Sequence, residues 1–275
     1  MSRVLLFLTL AVSFCQCRGN SKESSFQTGI VSNIPVVNGA LADTLPQGIS
    51  TLMSVYAECV TGYADGYLLM ADGERILYDD GVEKDFSTIL DNSDPQDMFT
   101  MLYDTIAEKP HYLSDAGRSR CEQLFKNMYG HNETEVQKRL TPVEWFGQNI
   151  RFSTVNGCAD SLRSVARELA NHSELLPYVR QASSFYWRKV RGAKRQSAHS
   201  YGIAIDINTT FSDYWLWTYR GATETDRIGY ENRIPLELVS IFERHGFIWG
   251  GRWYHYDTMH FEFRPELSRI SAKAD

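Results

Sequence analysis

Cysteine is scarce in this chain. Only 5 of the 275 residues are cysteine, and two of them, Cys15 and Cys17, lie at the end of an apolar N-terminal segment. The remaining three, Cys59, Cys121 and Cys158, are an odd number. At most one internal disulfide bond can therefore form, and the sequence does not decide whether Cys121 pairs with Cys158. The absence of a C-x-x-C pair argues against a thiolate zinc site, and buried free thiols are the simpler interpretation.

Positive charge is also limited. The chain has 28 Lys and Arg against 34 Asp and Glu, a formal net charge of -6. Such a chain has no overall positive electrostatic potential that would attract nucleic acid or an anionic membrane surface. One basic run extends from Arg188 to Arg195, and Tyr186 and Trp187 beside it could stack on bases. A nucleic-acid groove usually needs a wider positive surface, so a solvated loop with one functional arginine explains the run more simply.

Long hydrophobic runs are missing as well. The segment Val4–Phe14 is too short to span a bilayer, and no later segment is apolar enough to do so. Because Arg3 precedes it, this segment predicts a secretory signal over residues 1–17, followed by a polar spacer over 18–27. A lipid anchor at Cys17 is the alternative, although the residues before it fit that pattern poorly. We therefore expect an exported protein, either periplasmic, cell-envelope or secreted.

Residues 28–150 predict a supporting lobe. Two apolar runs between Tyr67 and Tyr78 flank Asp72-Gly73, a pair typical of a tight hairpin. Apolar residues from Met98 to Met128 recur at helical spacing, which predicts helices facing a core. We see no convergent set of histidine, cysteine or acidic residues in this part, so we expect no chemistry from it.

Residues 151–270 predict a second domain of α+β class. An apolar stripe from Val155 to Leu169 predicts one helix, and a second is expected from Pro235 to His245. Two short strands are expected at Ile203–Ile207 and Met259–Phe263. Since these elements follow no βαβ rhythm, they indicate a small antiparallel sheet flanked by helices.

Two polar groups interrupt the first of these strands. Burying the Asp206 carboxylate among isoleucines costs several kcal/mol unless it is paired or bound to a metal. His199 and Asp206 are an odd number of residues apart, so on one flat strand they would face opposite sides. Gly202 lies between them and could supply the bend that brings them together.

The second strand carries further candidates. His260 and Glu262 share one of its faces by alternation. Two histidines and one carboxylate, with a position left open, form a common ligand set for a catalytic divalent metal. Asp257 lies outside that set and could accept a proton. We interpret Glu262 as a partner that orients a ligand imidazole, and His255, between two tyrosines, as part of a substrate wall rather than a ligand.

These residues resemble the signature of the VanY-like zinc peptidases, which include D-alanyl-D-alanine carboxypeptidases and L-alanyl-D-glutamate endopeptidases of bacteria and phages. The signature S-x-H-x-x-G-x-A-x-D and the later D-x-M-H element are both complete here. Their residues are Ser197, His199, Gly202, Ala204, Asp206, Asp257, Met259 and His260. A string of this length is far more specific than a histidine pair.

The resemblance implies a cofactor, a fold and residue roles. The ligands of the implied Zn²⁺ are His199, Asp206 and His260. Asp257 is then the base, and the fold is expected to be similar to the Hedgehog and DD-peptidase domains. Arg188 stands where the family grips a peptide carboxylate, a contact that suits a planar guanidinium, and Ser197 is expected beside the substrate.

The expected function is that of an exported zinc-dependent peptidase hydrolysing peptide bonds of peptidoglycan stem peptides, as a carboxypeptidase or an endopeptidase. One alternative is a non-catalytic zinc-containing binding module, because the Hedgehog signalling domain is similar in fold and can hold zinc with little peptidase function. The intact Asp257 favours the enzyme. A further alternative is an exported hydrolase acting on other peptides, since pocket shape rather than the metal motif sets specificity.

Overall fold

The computed structural model describes residues 45–271. The predicted signal, the spacer and the alternative lipid anchor lie outside these residues. Within them, every helix is too short or too polar to cross a membrane.

The N-terminal part begins with a helix and a small sheet. Its elements are α1 (Ile49–Val55), β1 (Val60–Ala64), β2 (Tyr67–Met70), β3 (Arg75–Leu77) and α2 (Phe86–Asp91). The three strands form an antiparallel sheet in the order β1-β2-β3. The predicted hairpin is confirmed, with Gly73 at the turn at a φ of 90°. Asp85 begins α2 by accepting a hydrogen bond from the backbone N–H of Thr88.

The helical spacing from Met98 onward is only partly realised. One 3-10 turn covers Asp97–Phe99, and the next helix is α3 (Glu122–Tyr129). Between them the chain is irregular, and Ile106 is 78% exposed. The Asp104 carboxylate accepts hydrogen bonds from the backbone N–H groups of Ile106 and Ala107, so a local turn replaces the helix there. The helix prediction was therefore wrong between residues 100 and 121.

The C-terminal part contains the remaining elements. These are α4 (Glu133–Lys138), β4 (Leu140–Trp145), β5 (Gln148–Ser153), α5 (Cys158–Leu169), α6 (Leu176–Val179), β6 (Ala204–Asp206), α7 (Trp215–Thr218), α8 (Leu236–Arg244), β7 (Phe247–Trp249), β8 (His260–Phe263) and α9 (Pro265–Ser271). Strands β4 and β5 form a two-stranded hairpin, and a second three-stranded antiparallel sheet has the order β6-β8-β7. The two predicted helices and the two predicted strands are confirmed, and Pro235 precedes α8 as expected.

The core joins both parts of the chain. Leu52 of α1, Phe125 of α3, Leu162 of α5 and Phe261 of β8 are buried in one hydrophobic cluster. The boundary proposed between residues 150 and 151 falls within β5, and the division into a lobe and a domain stays a prediction. The α+β class is confirmed by the mixture of helices with small antiparallel sheets. The three cysteines of the described part, including Cys121 and Cys158, are free thiols.

Candidate metal centre

Three candidate ligands meet at one end of the β6-β8-β7 sheet. His199 lies on a 3-10 turn, Asp206 ends β6 and His260 begins β8, directly opposite Asp206 in the antiparallel register. Asp206 Oδ1 lies 3.1 Å from His199 Nε2 and 3.0 Å from His260 Nδ1, and the two nitrogens are 3.2 Å apart. Ligands of a tetrahedral zinc ion are separated by roughly 3.3 Å. The three donor atoms therefore fit a zinc ion with little rearrangement.

Gly202 allows His199 and Asp206 to face each other. Its φ is 67°, in the left-handed region, and it ends the 3-10 turn that carries His199. A Cβ atom at this position would lie 2.4 Å from a methyl carbon of Leu140. The left-handed backbone conformation therefore favours glycine, and any other residue would also displace the Leu140 side chain. The bend expected from the sequence is confirmed, and it overrides the alternation of a flat strand.

The other nitrogen of each imidazole has a defined partner. His199 Nδ1 lies 2.8 Å from the carbonyl oxygen of Ser184, to which it can donate a proton. His260 Nε2 lies 3.4 Å from Glu262 Oε2. In the metal-free protein burial lowers the pKa of His260, but the Asp206 and Glu262 carboxylates outweigh it and raise this pKa to about 10, so a proton lies between His260 and Asp206. A metal ion in its place would use His199 Nε2 and His260 Nδ1 as ligands, because Ser184 and Glu262 accept from the other ring nitrogens. Both rings are therefore oriented as ligand imidazoles require.

Asp257 lies in the same cavity as the three candidate ligands. Its backbone N–H donates to the carbonyl of Gly250 at 3.0 Å, which places it just before β8. The Oδ1 atom is buried without a hydrogen-bond partner among the described residues. Burial raises the pKa of Asp257, and the nearby Asp206 carboxylate raises it further. Burial also opposes the ionisation of Asp206, but the two imidazoles outweigh it and lower the pKa of that carboxyl.

The arginines of the cavity fall into two groups. Arg118, Arg120 and Arg195 line it but already form ion pairs with acidic side chains of the protein. Arg188 and Arg191 are exposed and line it without an ion pair to a described acidic residue, and the Arg188 guanidinium contacts the carbonyl of Lys189 at 3.5 Å. Ser197 also lines the cavity and is 4% exposed. Of the two predicted substrate contacts, Arg188 thus offers a charge that a ligand could use, and both predicted roles stay predictions.

A second cluster of histidine and carboxylates borders the cavity through His255 and Arg118, and sequence reasoning missed it. His255 is 1% exposed, and its Nδ1 lies 2.6 Å from Asp115 Oδ2. Glu224 completes a group whose ligand-type atoms lie within 4.8 Å of one another. However, the Arg118 guanidinium contacts Asp115 at 2.5 Å and Glu224 at 2.7 Å, so a cation already occupies this group.

The His255 ring centroid lies 4.6 Å from that of Trp215 and 5.0 Å from that of Tyr254, and its predicted place in a substrate wall stays a prediction. Its Nε2 atom is buried without a hydrogen-bond partner in the described part of the chain. No local pattern could have revealed its pairing with Asp115, which is 140 residues away in an irregular segment.

Comparison with known proteins gives one family. Residues 191–263 match the family model described as D-alanyl-D-alanine carboxypeptidase. Neither the curated proteins nor the solved structures gave a significant match. The matched segment contains His199, Asp206, Asp257 and His260, and it begins after Arg188. The resemblance to the VanY-like peptidases is confirmed over this segment, and it supports a peptidase of peptidoglycan-type substrates.

Proposed function

We propose that the protein is an exported zinc-dependent peptidase of DD-peptidase-like fold, which hydrolyses peptide bonds in the stem peptides of peptidoglycan. The observation that carries this proposal is the convergence of His199 Nε2, Asp206 Oδ1 and His260 Nδ1 within 3.2 Å of one another. The similarity of residues 191–263 to D-alanyl-D-alanine carboxypeptidases supports the substrate class.

His199, Asp206 and His260 would hold the zinc ion. When bound, zinc would supply a Lewis acid that polarises the scissile carbonyl and lowers the pKa of a water molecule. Asp257 faces the same cavity and performs the proton transfer. Its carboxylate accepts the proton of the attacking water and then donates it to the nitrogen of the leaving amine.

The remaining residues position the peptide. Arg188 binds a substrate carboxylate through two parallel N–H donors, because its guanidinium is not engaged in an ion pair with a described acidic residue. Ser197 lies beside it on the cavity wall and contributes to the substrate contact. Trp215 and Trp253 line the cavity as well and limit the access of water.

The test is mass spectrometry of purified peptidoglycan after incubation with the zinc-loaded mature protein. The Asp257→Asn variant is the control, since it should keep zinc and lose turnover. New stem-peptide fragments formed only by the unchanged protein would support the proposal, and their masses would identify a carboxypeptidase or an endopeptidase.

Parallel incubations with free dipeptides and with unrelated proteins test the substrate class. Cleavage of those peptides without cleavage of wall fragments would contradict the peptidoglycan assignment. If no substrate is cleaved although each chain binds one zinc ion, the enzyme proposal fails and the zinc-containing binding module becomes the better hypothesis.

A further inference from the structure

Four buried charged side chains lie directly behind His260. Glu262, Arg264 and Glu266 are fully buried, and Arg120 is 9% exposed. Arg264 Nη1 lies 3.1 Å from Glu262 Oε1, and Arg264 Nε lies 2.5 Å from Glu266 Oε1. Arg120 Nη1 lies 3.3 Å from Glu262 Oε2, the same oxygen that faces His260 Nε2. Two positive and two negative charges therefore compensate each other in the interior.

The two oxygens of Glu262 have separate partners. Arg264 holds Oε1, whereas Oε2 is shared between Arg120 and His260. Without Arg120, the carboxylate could turn so that Arg264 binds both oxygens, because a guanidinium prefers bidentate pairing. His260 Nε2–H would then lose its acceptor. The orientation of Glu262 toward His260 thus depends on Arg120.

Arg120 is itself fixed by the backbone. Its Nη1 also donates to the carbonyl of Gly117 at 3.0 Å, and Arg264 Nη1 donates to the same carbonyl at 2.9 Å. Gly117 has a φ of 98°, and a Cβ atom there would lie 2.2 Å from Ile248 Cδ1. Because both guanidinium groups donate to the Gly117 carbonyl, this carbonyl holds them next to each other beside Glu262.

We infer that Arg120 is a positioning residue of the metal centre: it aims Glu262 Oε2 at His260 Nε2–H and so keeps Nδ1 available as a ligand. The inference rests on the proposed zinc site. It assigns a role at that site to a residue well before the matched segment 191–263, in a part of the chain from which the sequence predicted no chemistry. Partners of ligand imidazoles typically change metal affinity by about 10- to 100-fold when they are lost.

The experiment measures zinc affinity by competition with a chelator for Arg120→Met, Glu262→Gln and the double variant. We expect each single variant to weaken zinc binding by about 10-fold or more. Because Arg120 acts through Glu262, the double variant should bind zinc no more weakly than Glu262→Gln alone. Arg252→Met is the matched control, since Arg252 is also largely buried and pairs with Glu243, away from the metal centre. Its zinc affinity should not change.

A second readout needs no zinc. In the metal-free protein labelled at histidine, NMR should show a protected Nε2–H signal for His260 that is lost in Arg120→Met. If Arg120→Met does not fold, Arg120→Lys is the substitute, because lysine keeps the positive charge but not the planar set of N–H donors. This variant should fold while its zinc binding stays weakened.

The inference would be wrong if the two substitutions weakened zinc binding additively in the double variant. It would also be wrong if Arg120→Met kept both its zinc affinity and the His260 NMR signal. Neither result would contradict the proposed zinc site. Absence of zinc binding by the unchanged protein would instead refute the proposed function.

Discussion

Two clusters of histidine and carboxylate lie at the cavity, and they differ in the cation that compensates the carboxylates. In the first, Asp206 lies between two histidines, and three donor atoms face one another with no lysine or arginine of the described residues bonded to the carboxylate. In the second, Asp115 and Glu224 lie beside His255, and the guanidinium of Arg118 bonds to both carboxylates. Histidine and carboxylate at short distance are therefore not enough to identify a metal site.

The difference lies in how the buried negative charge is compensated. A carboxylate removed from water must be paired, and a guanidinium or a metal ion can serve. Where the protein supplies the cation itself, as for Asp115, the cluster is an internal ion pair that shapes the cavity. At Asp206 the compensating groups are the two imidazoles, whose protons a metal ion can replace while the ring nitrogens become its ligands. The following predictions test this distinction.

The largest effect is expected from matched substitutions in the two clusters. Asp206→Asn removes the anionic ligand, so zinc should be lost, and peptidase activity should fall by at least about 10³-fold because the Lewis acid is missing. Asp115→Asn replaces a carboxylate that is more deeply buried than Asp206 and is also bonded to a histidine, yet it should retain one zinc ion per chain. Metal analysis of the purified proteins checks both. Loss of zinc from both variants would show that the two clusters form one metal site.

Asp257→Asn separates the proposed base from the proposed ligands. The amide cannot accept the proton of the attacking water, so we expect kcat to fall by about 10²- to 10⁴-fold. Zinc content should stay unchanged, because Asp257 is outside the group formed by His199, Asp206 and His260. Steady-state kinetics on a wall-derived peptide and metal analysis of the same sample provide the measurement. Near-normal activity would remove Asp257 from the proton transfer.

Arg118→Met should turn the second cluster into one that resembles the first. Removing the guanidinium leaves Asp115 and Glu224 without their cationic partner, although Asp115 keeps its hydrogen bond to His255, and this should lower the free energy of unfolding by about 3 kcal/mol. Added zinc should recover part of this stability by binding to both carboxylates and His255. Denaturant unfolding with and without zinc tests this, with Arg163→Met, from an exposed ion pair, as the control. No recovery and no second zinc ion would mean that this cluster cannot hold a metal.

The sequence revealed one of the two clusters for a physical reason. His199 and Asp206 are close in the chain, Gly202 marks the bend between them, and His260 lies on the neighbouring strand in a pattern that a family shares. Local spacing can carry such information. The strands and helices around them were also predictable, because their burial follows a period of two or of 3.6.

The contribution of the segment 115–120 was not predictable. Asp115 meets His255 and Arg120 meets Glu262 across more than 100 residues of chain, from a stretch without regular structure. No periodicity or motif links such residues, and the pairing depends on the packing of the whole core. The helical spacing that begins at Met98 even favoured the wrong local structure, because the turn at Asp104 competes with the helix.

The smallest effect concerns pH and compares two Asp–Arg pairs three residues apart, Asp115–Arg118 and the exposed Asp160–Arg163. Burial opposes ionisation of Asp115, but Arg118 and His255 outweigh it and lower its pKa. The folded state then binds fewer protons than the unfolded state, whose aspartate pKa is about 3.9. The stabilisation is therefore present above about pH 4 and is lost as the pH falls through the lower folded pKa.

Urea unfolding at several pH values should show that Asp115→Asn lowers the free energy of unfolding by about 1 kcal/mol or more near neutral pH. The loss should become progressively smaller below about pH 4. Asp160 is 83% exposed, so Asp160→Asn should cost less than about 0.5 kcal/mol at every pH. A cost for Asp115→Asn that does not change with pH would mean that packing of the side chain, rather than its charge, holds the second cluster together. The guanidinium would then not be the feature that distinguishes it from the metal centre.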